Sequence, residues 1–148
     1  MRLQTASEVI SFLKQLERQS ADFYKWLAKN IEAHKDLFLG FAKENEKNIN
    51  NIERTYYGVI TDAIEGCYAF AIETDIYQIE DKCVLEGNYS DAISRVLQIE
   101  STILQFYIDA AKQSHGLMAD IPRVMERIAK VRADRVQRLN TMLKGTQK

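Results

Sequence analysis

Glu17–Lys29 reads ERQSADFYKWLAK, and Glu100–Lys112 reads ESTILQFYIDAAK. At an offset of 83 the two stretches share the glutamate, the Phe-Tyr pair that begins six residues later, and the Ala-Lys pair beyond it. A weaker echo follows each copy. Phe41-Ala42-Lys43 aligns with Ile128-Ala129-Lys130 at an offset of 87, which sets Asn45 and Asn48 against Arg132 and Arg135. The change of offset by four (87 less 83) reads as a slightly longer loop in the second half. Internal self-similarity marks a duplicated supersecondary unit. Here the unit is a helical hairpin, and two hairpins make four helices.

Periodicity supports helices in each copy. Leu13, Leu16, Ser20, Phe23 and Leu27 recur at helical spacing, and Thr5 with Glu8 makes a capping box ahead of them. Phe38, Phe41, Asn45, Asn48 and Ile52 form the stripe of the second helix. In the third, Val96, Ile99, Ile103 and Tyr107 follow Ser90 as a candidate N-cap. In the fourth, Asp120 and Pro122 open a run of Met125, Ile128, Arg132, Arg135, Leu139 and Met142. The expected elements of a single domain over 1–148 are helices at about 5–30, 34–57, 90–114 and 121–144. Between the second and third, about 58–89 lacks a long clean period and is assigned to a crossover, with a short helix near Thr61–Ala71, the stretch Glu73–Glu80 and a turn at Gly87-Asn88. A four-helix bundle can carry such a long crossover connection between two of its helices.

Composition agrees with an all-α fold. One proline and six glycines in 148 residues are too few for a sheet-rich chain with many tight turns. Hydrophobic residues at 46% and charged residues at 28% describe an ordinary globular domain. No apolar run approaches the ~18 residues that span a bilayer, so no membrane association is expected. Cys67 and Cys83 have no CxxC context and no leader-like segment precedes them, so they are expected as reduced thiols in a cytoplasmic protein. The net charge of −1 covers an asymmetry: Thr61–Glu100 holds nine acidic residues, and Ile121–Lys148 holds eight basic ones. A basic terminal helix can bind nucleic acid. The overall sign argues instead for neutralisation of one segment by the other, within or between chains.

The Glu and Phe-Tyr pattern, repeated twice, resembles the first and third helices of rubrerythrin-like proteins of the ferritin-like family. The resemblance covers the chain apart from the crossover and implies a ferritin-like four-helix bundle. In that family the first and third helices each supply an iron-binding glutamate, and the second and fourth each supply a Glu-x-x-His pair. Matched residue by residue, the glutamates are Glu17 and Glu100. The Glu-x-x-His positions fall on Asn45 and Asn48 in the second helix and on Arg132 and Arg135 in the fourth. The additional glutamate that many rubrerythrins carry in the third helix falls on Ile103, and no rubredoxin-type CxxC is present. Amides are poor iron ligands, and a guanidinium offers donors only. The expectation is therefore a vestigial site with no metal or other cofactor, in which Glu17, Asn45, Asn48, Glu100, Arg132 and Arg135 face inward and the arginines take the place of iron. A slipped register would instead put both arginines in solvent. Against that, Ile128 and Leu139 bracket them at core spacing, as Phe41 and Ile52 bracket the asparagines.

Other candidates read as structural. His34 and His115, near the hairpin loops, are expected on the surface. Glu44, Glu46 and Glu53 lie along the second helix; the spacing puts Glu44 and Glu46 on different faces, so they read as a solvated surface rather than an iron-entry path. Tyr56, Tyr57, Tyr68, Phe70 and Tyr77 are expected as core or dimer contacts, or as the lining of a pocket under the crossover. No nucleophile–base pair, phosphate loop or zinc motif is present. The function expected is a non-catalytic structural, regulatory or interaction protein, a homodimer by resemblance. The alternative is a di-iron peroxidase or oxidase using other ligands.

Overall fold

The structure, a computed structural model, describes residues 1–59, 70–79, 89–116 and 120–146. Among these, four long helices dominate: α1 (Ala6–Asn30), α2 (Lys35–Val59), α3 (Tyr89–Gln113) and α4 (Asp120–Thr146). The helices α2 and α4 each run two residues past the end expected from sequence. Cys67, Cys83, Tyr68, the turn at 87–88 and most of the short helix expected at 61–71 lie outside the described residues.

Local chemistry sets the ends. Thr5 caps α1: its hydroxyl accepts from the Glu8 N–H at 3.2 Å, while the Glu8 carboxylate accepts from the Thr5 N–H at 3.1 Å. Two otherwise orphaned backbone donors are thereby satisfied. At the other end Ile31 is extended and its N–H donates to Leu27 O at 2.8 Å. The turn into α2 passes through His34 at φ 68°, a left-handed backbone that histidine tolerates better than most residues. His34 O then accepts from the Phe38 N–H at 3.1 Å, which starts the next helix. Ser90 does not cap α3. That helix begins at Tyr89, so Ser90 already lies in its first turn, where the backbone is helical rather than the extended form of a cap residue. Pro122 sits in the first turn of α4, where a missing N–H breaks no helical bond.

The apolar stripes meet in one core. Leu13, Leu16 and Leu27 of α1, Phe38 and Ile52 of α2, Ile103 and Tyr107 of α3, and Ile128 and Leu139 of α4 are all buried. Each fully buried aliphatic or aromatic side chain contributes roughly 1.5–3 kcal/mol. The most extensive packing is of α1 on α2 and of α3 on α4, with α2 on α4 and α1 on α3 completing the ring. Ion pairs from Lys14 to Glu53 (2.6 Å) and Lys25 to Glu46 (3.0 Å) run α1 and α2 antiparallel.

Two short strands, not anticipated, tie the N-terminus to the region after α2. β1 (Arg2–Leu3) pairs antiparallel with β2 (Ile72–Glu73), with Leu3 opposite Ile72. A 3-10 turn over Thr74–Tyr77 follows. From there the segment lies along α3. Gln113 accepts from the Ala71 N–H at 2.7 Å, and the Tyr77 hydroxyl donates to Asp109 while its ring packs edge-on to Phe106 at 4.9 Å. Ile79 lines a shallow cleft with Ile99. Of the aromatics singled out above, Tyr56, Phe70 and Tyr77 are buried. Tyr57 is not a core residue: it is 68% exposed, because it follows buried Tyr56 and so turns to the outer face of α2. No helix among the described residues is long and apolar enough to cross a membrane.

Because the Thr5 hydroxyl accepts from the Glu8 N–H, Thr5→Ala is expected to destabilise the fold by about 1 kcal/mol. Urea unfolding should show a lower midpoint with an unchanged slope.

Candidate functional site

Helical spacing carries polar residues into the apolar interior from all four helices. Glu17 and Glu100 are fully buried, Arg132 is fully buried and Arg135 is 1% exposed; Asn45 and Asn48 are buried with them. An unpaired charge at such a depth costs several kcal/mol, so the four ionised groups are tolerable only together.

One side chain joins both acids. Arg132 Nη1 donates to Glu100 Oε2 at 2.7 Å. On its other edge Nε donates to Glu17 Oε1 at 3.3 Å, and Nη2 lies 2.8 Å from Glu17 Oε2. The last contact is an ion pair without the alignment of a hydrogen bond. Arg135 Nη1 donates to Glu100 Oε1 at 3.0 Å and to Asn45 Oδ1 at 2.8 Å. Its guanidinium lies over the Phe41 ring, 4.7 Å from the centroid, which adds a cation–π contact in a desolvated setting. Planar forks with several donors suit this work; an ammonium could not bridge two carboxylates in the same way.

The Phe-Tyr pairs complete the acids' shells, and they do so crosswise. The Tyr107 hydroxyl donates to Glu17 Oε1 at 2.6 Å, and the Tyr24 hydroxyl donates to Glu100 Oε1. Each tyrosine serves the glutamate of the other repeat. Burial, and then the facing carboxylate, push both phenols well above their ordinary range, so they remain protonated donors. For Glu100, burial alone would raise the carboxyl; Arg132, Arg135 and the Tyr24 hydroxyl outweigh it and hold the group below the usual carboxylate range. The carboxylates in turn raise Arg132 against the opposing effect of burial, so it stays cationic.

Five of the six expected positions therefore meet in one network. Asn45 takes part through its carbonyl and also donates from Nδ2 to the backbone oxygen of Glu17 at 3.2 Å. Asn48 is buried but does not join: its Nδ2 has no hydrogen-bond partner among the described residues, and neither do Ser20 Oγ and Arg135 Nε. Glu44 corrects its expectation of a purely solvated residue. Its side chain is 41% exposed and meets Arg135 Nη2, because the long guanidinium reaches past Asn45 to the edge of the bundle. Glu46 and Glu53 pair with Lys25 and Lys14. His115 is exposed and lies 3.1 Å from Glu126, and His34 is exposed in its turn. The signal for the two tyrosines was in the repeat itself. Each lies seven residues after its glutamate, two helical turns on and hence on the same face.

A di-iron centre does not fit this donor set. All four oxygens of Glu17 and Glu100 are engaged by guanidinium or phenol groups, and the remaining inward groups are amides and cations. Among the described residues, no three or more His, Cys, Asp or Glu side chains are grouped to hold a metal ion. No protein-family model, curated protein or solved structure matches the chain.

Glu100→Ala removes the carboxylate that two buried guanidiniums share, leaving Arg132 with Glu17 alone and Arg135 with half-exposed Glu44, and the expected loss of stability is roughly 3–5 kcal/mol. A loss under about 1 kcal/mol by urea unfolding would show the group to be solvated. The acid limb carries a second signature. The Glu100 carboxyl is lower in the folded protein than in the unfolded chain, so its contribution is complete above about pH 4.3 and is lost as pH falls through the folded value. Wild type should accordingly lose stability more steeply than Glu100→Gln as pH falls below about 4.3, as read from urea midpoints at a series of acid pH values.

Proposed function

We propose that the chain is a rubrerythrin-type member of the ferritin-like class whose di-iron site has given way to a buried arginine–glutamate network, and that its role is non-catalytic: structural, regulatory or as an interaction scaffold. The observation that carries this reading is Arg132, which contacts Glu17 and Glu100 together at the centre of the four helices. The architecture supports it. Helix α1 runs antiparallel to α2, as the Lys14 and Lys25 ion pairs require. It also runs antiparallel to α3, since Glu17 meets Tyr107 while Tyr24 meets Glu100. Helices α2 and α3 then point the same way. The chain between them must travel the length of the bundle, and the segment from Phe70 to Ile79 lying along α3 is consistent with that crossover.

Chemistry follows from the charges. Two guanidiniums supply the positive charge that two buried carboxylates need, but they present no lone pair or open coordination position to a substrate. A homodimer belongs to the same reading on the strength of the resemblance alone, and a cytoplasmic location on Cys67 and Cys83 read as reduced thiols.

Metal analysis of the purified protein is the direct test, with less than stoichiometric iron expected. About two irons per chain, the di-iron stoichiometry, would overturn the proposal in favour of a di-iron peroxidase or oxidase. A constructive test restores the ligands. The combined variant Asn45→Glu, Asn48→His, Arg132→Glu and Arg135→His is expected to bind ferrous ion, read by absorbance on oxidation. A folded variant that binds none would mean that these are not the lost ligand positions.

A further inference from the structure

We propose that the cleft between the end of α2 and the start of α4 binds a phosphate group carried by a small molecule or as the free ion. The cleft holds about 270 Å³ and is lined by Arg54, Thr55 and Gly58 from α2 and by Arg123 and Arg127 from α4, with Asp120 at the rim. Three arginines thus line one concavity. Arg54 and Arg127 make no ion pair among the described residues, and Arg123 reaches only Asp120, at a loose 3.9 Å. Several basic residues between helices elsewhere in the fold are matched: Lys14 with Glu53, Lys25 with Glu46, and Arg132 and Arg135 with glutamates. Among the described residues, three like charges around a cleft with one poorly placed acid leave an electrostatic demand that an anion would meet.

The chemistry favours phosphate. Guanidinium forks bind tetrahedral oxyanions through paired N–H donors. The cleft also lies at the N-terminus of α4, a helix of 27 residues, whose first-turn N–H groups have no acceptor within the helix and whose dipole favours negative charge. Pro122 removes one of those donors, so the arginines carry most of the binding. The Thr55 hydroxyl can add a neutral donor, and a Cβ built at Gly58 would meet nothing within 4 Å, so that wall has room. Drug-sized ligands occupy about 300–1,000 Å³. The present volume falls just short of that range, which selects inorganic phosphate or a small phosphomonoester over a dinucleotide. The cleft is separate from the buried network, so this proposal stands or falls independently of the ferritin-like reading.

The test is a titration of the full chain with inorganic phosphate at fixed ionic strength, using chloride as the reference. Calorimetry gives the affinity and arginine Nε–Hε resonances give the location. The expected result is saturable phosphate binding that moves the signals of Arg54, Arg123 and Arg127. Arg54→Gln with Arg127→Gln should weaken it by roughly a hundredfold, about tenfold for each charge-assisted contact, and should leave the circular dichroism unchanged. Arg18→Gln, an exposed arginine on α1, should bind as wild type. A small phosphomonoester binding more tightly than phosphate, with the same dependence on Arg54 and Arg127, would assign the natural ligand to the esters; weaker binding would assign it to the free ion. No binding beyond chloride, or binding unchanged in the double variant, would overturn the proposal. So would tight capture of a single-stranded oligonucleotide with a salt slope of many phosphates, which would make this face a nucleic-acid surface instead.

Discussion

Two carboxylates lie in a dry helical interior, and a single guanidinium holds them both. Around Arg132 the remaining features of the core fall into place. Glu17 and Glu100 enter from α1 and α3, the two helices that the repeat makes equivalent, and Arg132 reaches them from α4. Desolvating such ions cancels much of their attraction, so the network is a weak source of net stability compared with an apolar core of the same volume. Its discrimination between registers is strong. Rotating α4 by one residue would bury two uncompensated acids and pull Arg132 out of reach. The apolar stripes could tolerate such a slip far better than the charges can.

The two halves share a plan but not a chemistry. At the repeated positions of α2 and α4, one half offers neutral amides and the other offers cations. Asn45 is integrated, accepting from Arg135 and donating to the α1 backbone, whereas Asn48 leaves its amide donor unmatched by any described group. Both positive charges therefore come from one side of the bundle. Arg135 offsets that imbalance by leaning over the Phe41 ring toward Glu44, at the boundary between interior and solvent.

The parts that could be read in the sequence were those that depend on period and repetition. A stripe such as 128, 132, 135 and 139 states which face is inward even when two of its members are arginines, and the matching stripe at 41, 45, 48 and 52 says so independently. The capping box at Thr5 is equally legible because its two hydrogen bonds are local. What stayed hidden depends on distance between chain segments. Nothing near Leu3 announces a partner at Ile72, since a two-residue strand has no period to detect. Glu44 reads as solvated because its spacing from Glu46 puts the two on different faces, a rule that ignores how far a guanidinium can extend. The tyrosines were visible as markers of the repeat, but that each serves the other copy's acid is a property of the docked halves.

That crosswise pairing has a kinetic meaning. The contacts from Tyr24 to Glu100, Tyr107 to Glu17 and Arg132 to Glu17 join residues 76, 90 and 115 positions apart in the chain. Local helical turns can form early, but these bonds wait until the two hairpins have closed on each other. Interactions absent from the folding transition state act mainly on the rate of opening. The central charges then behave as a latch: removing one partner acts less on how fast the bundle assembles than on how long it stays shut.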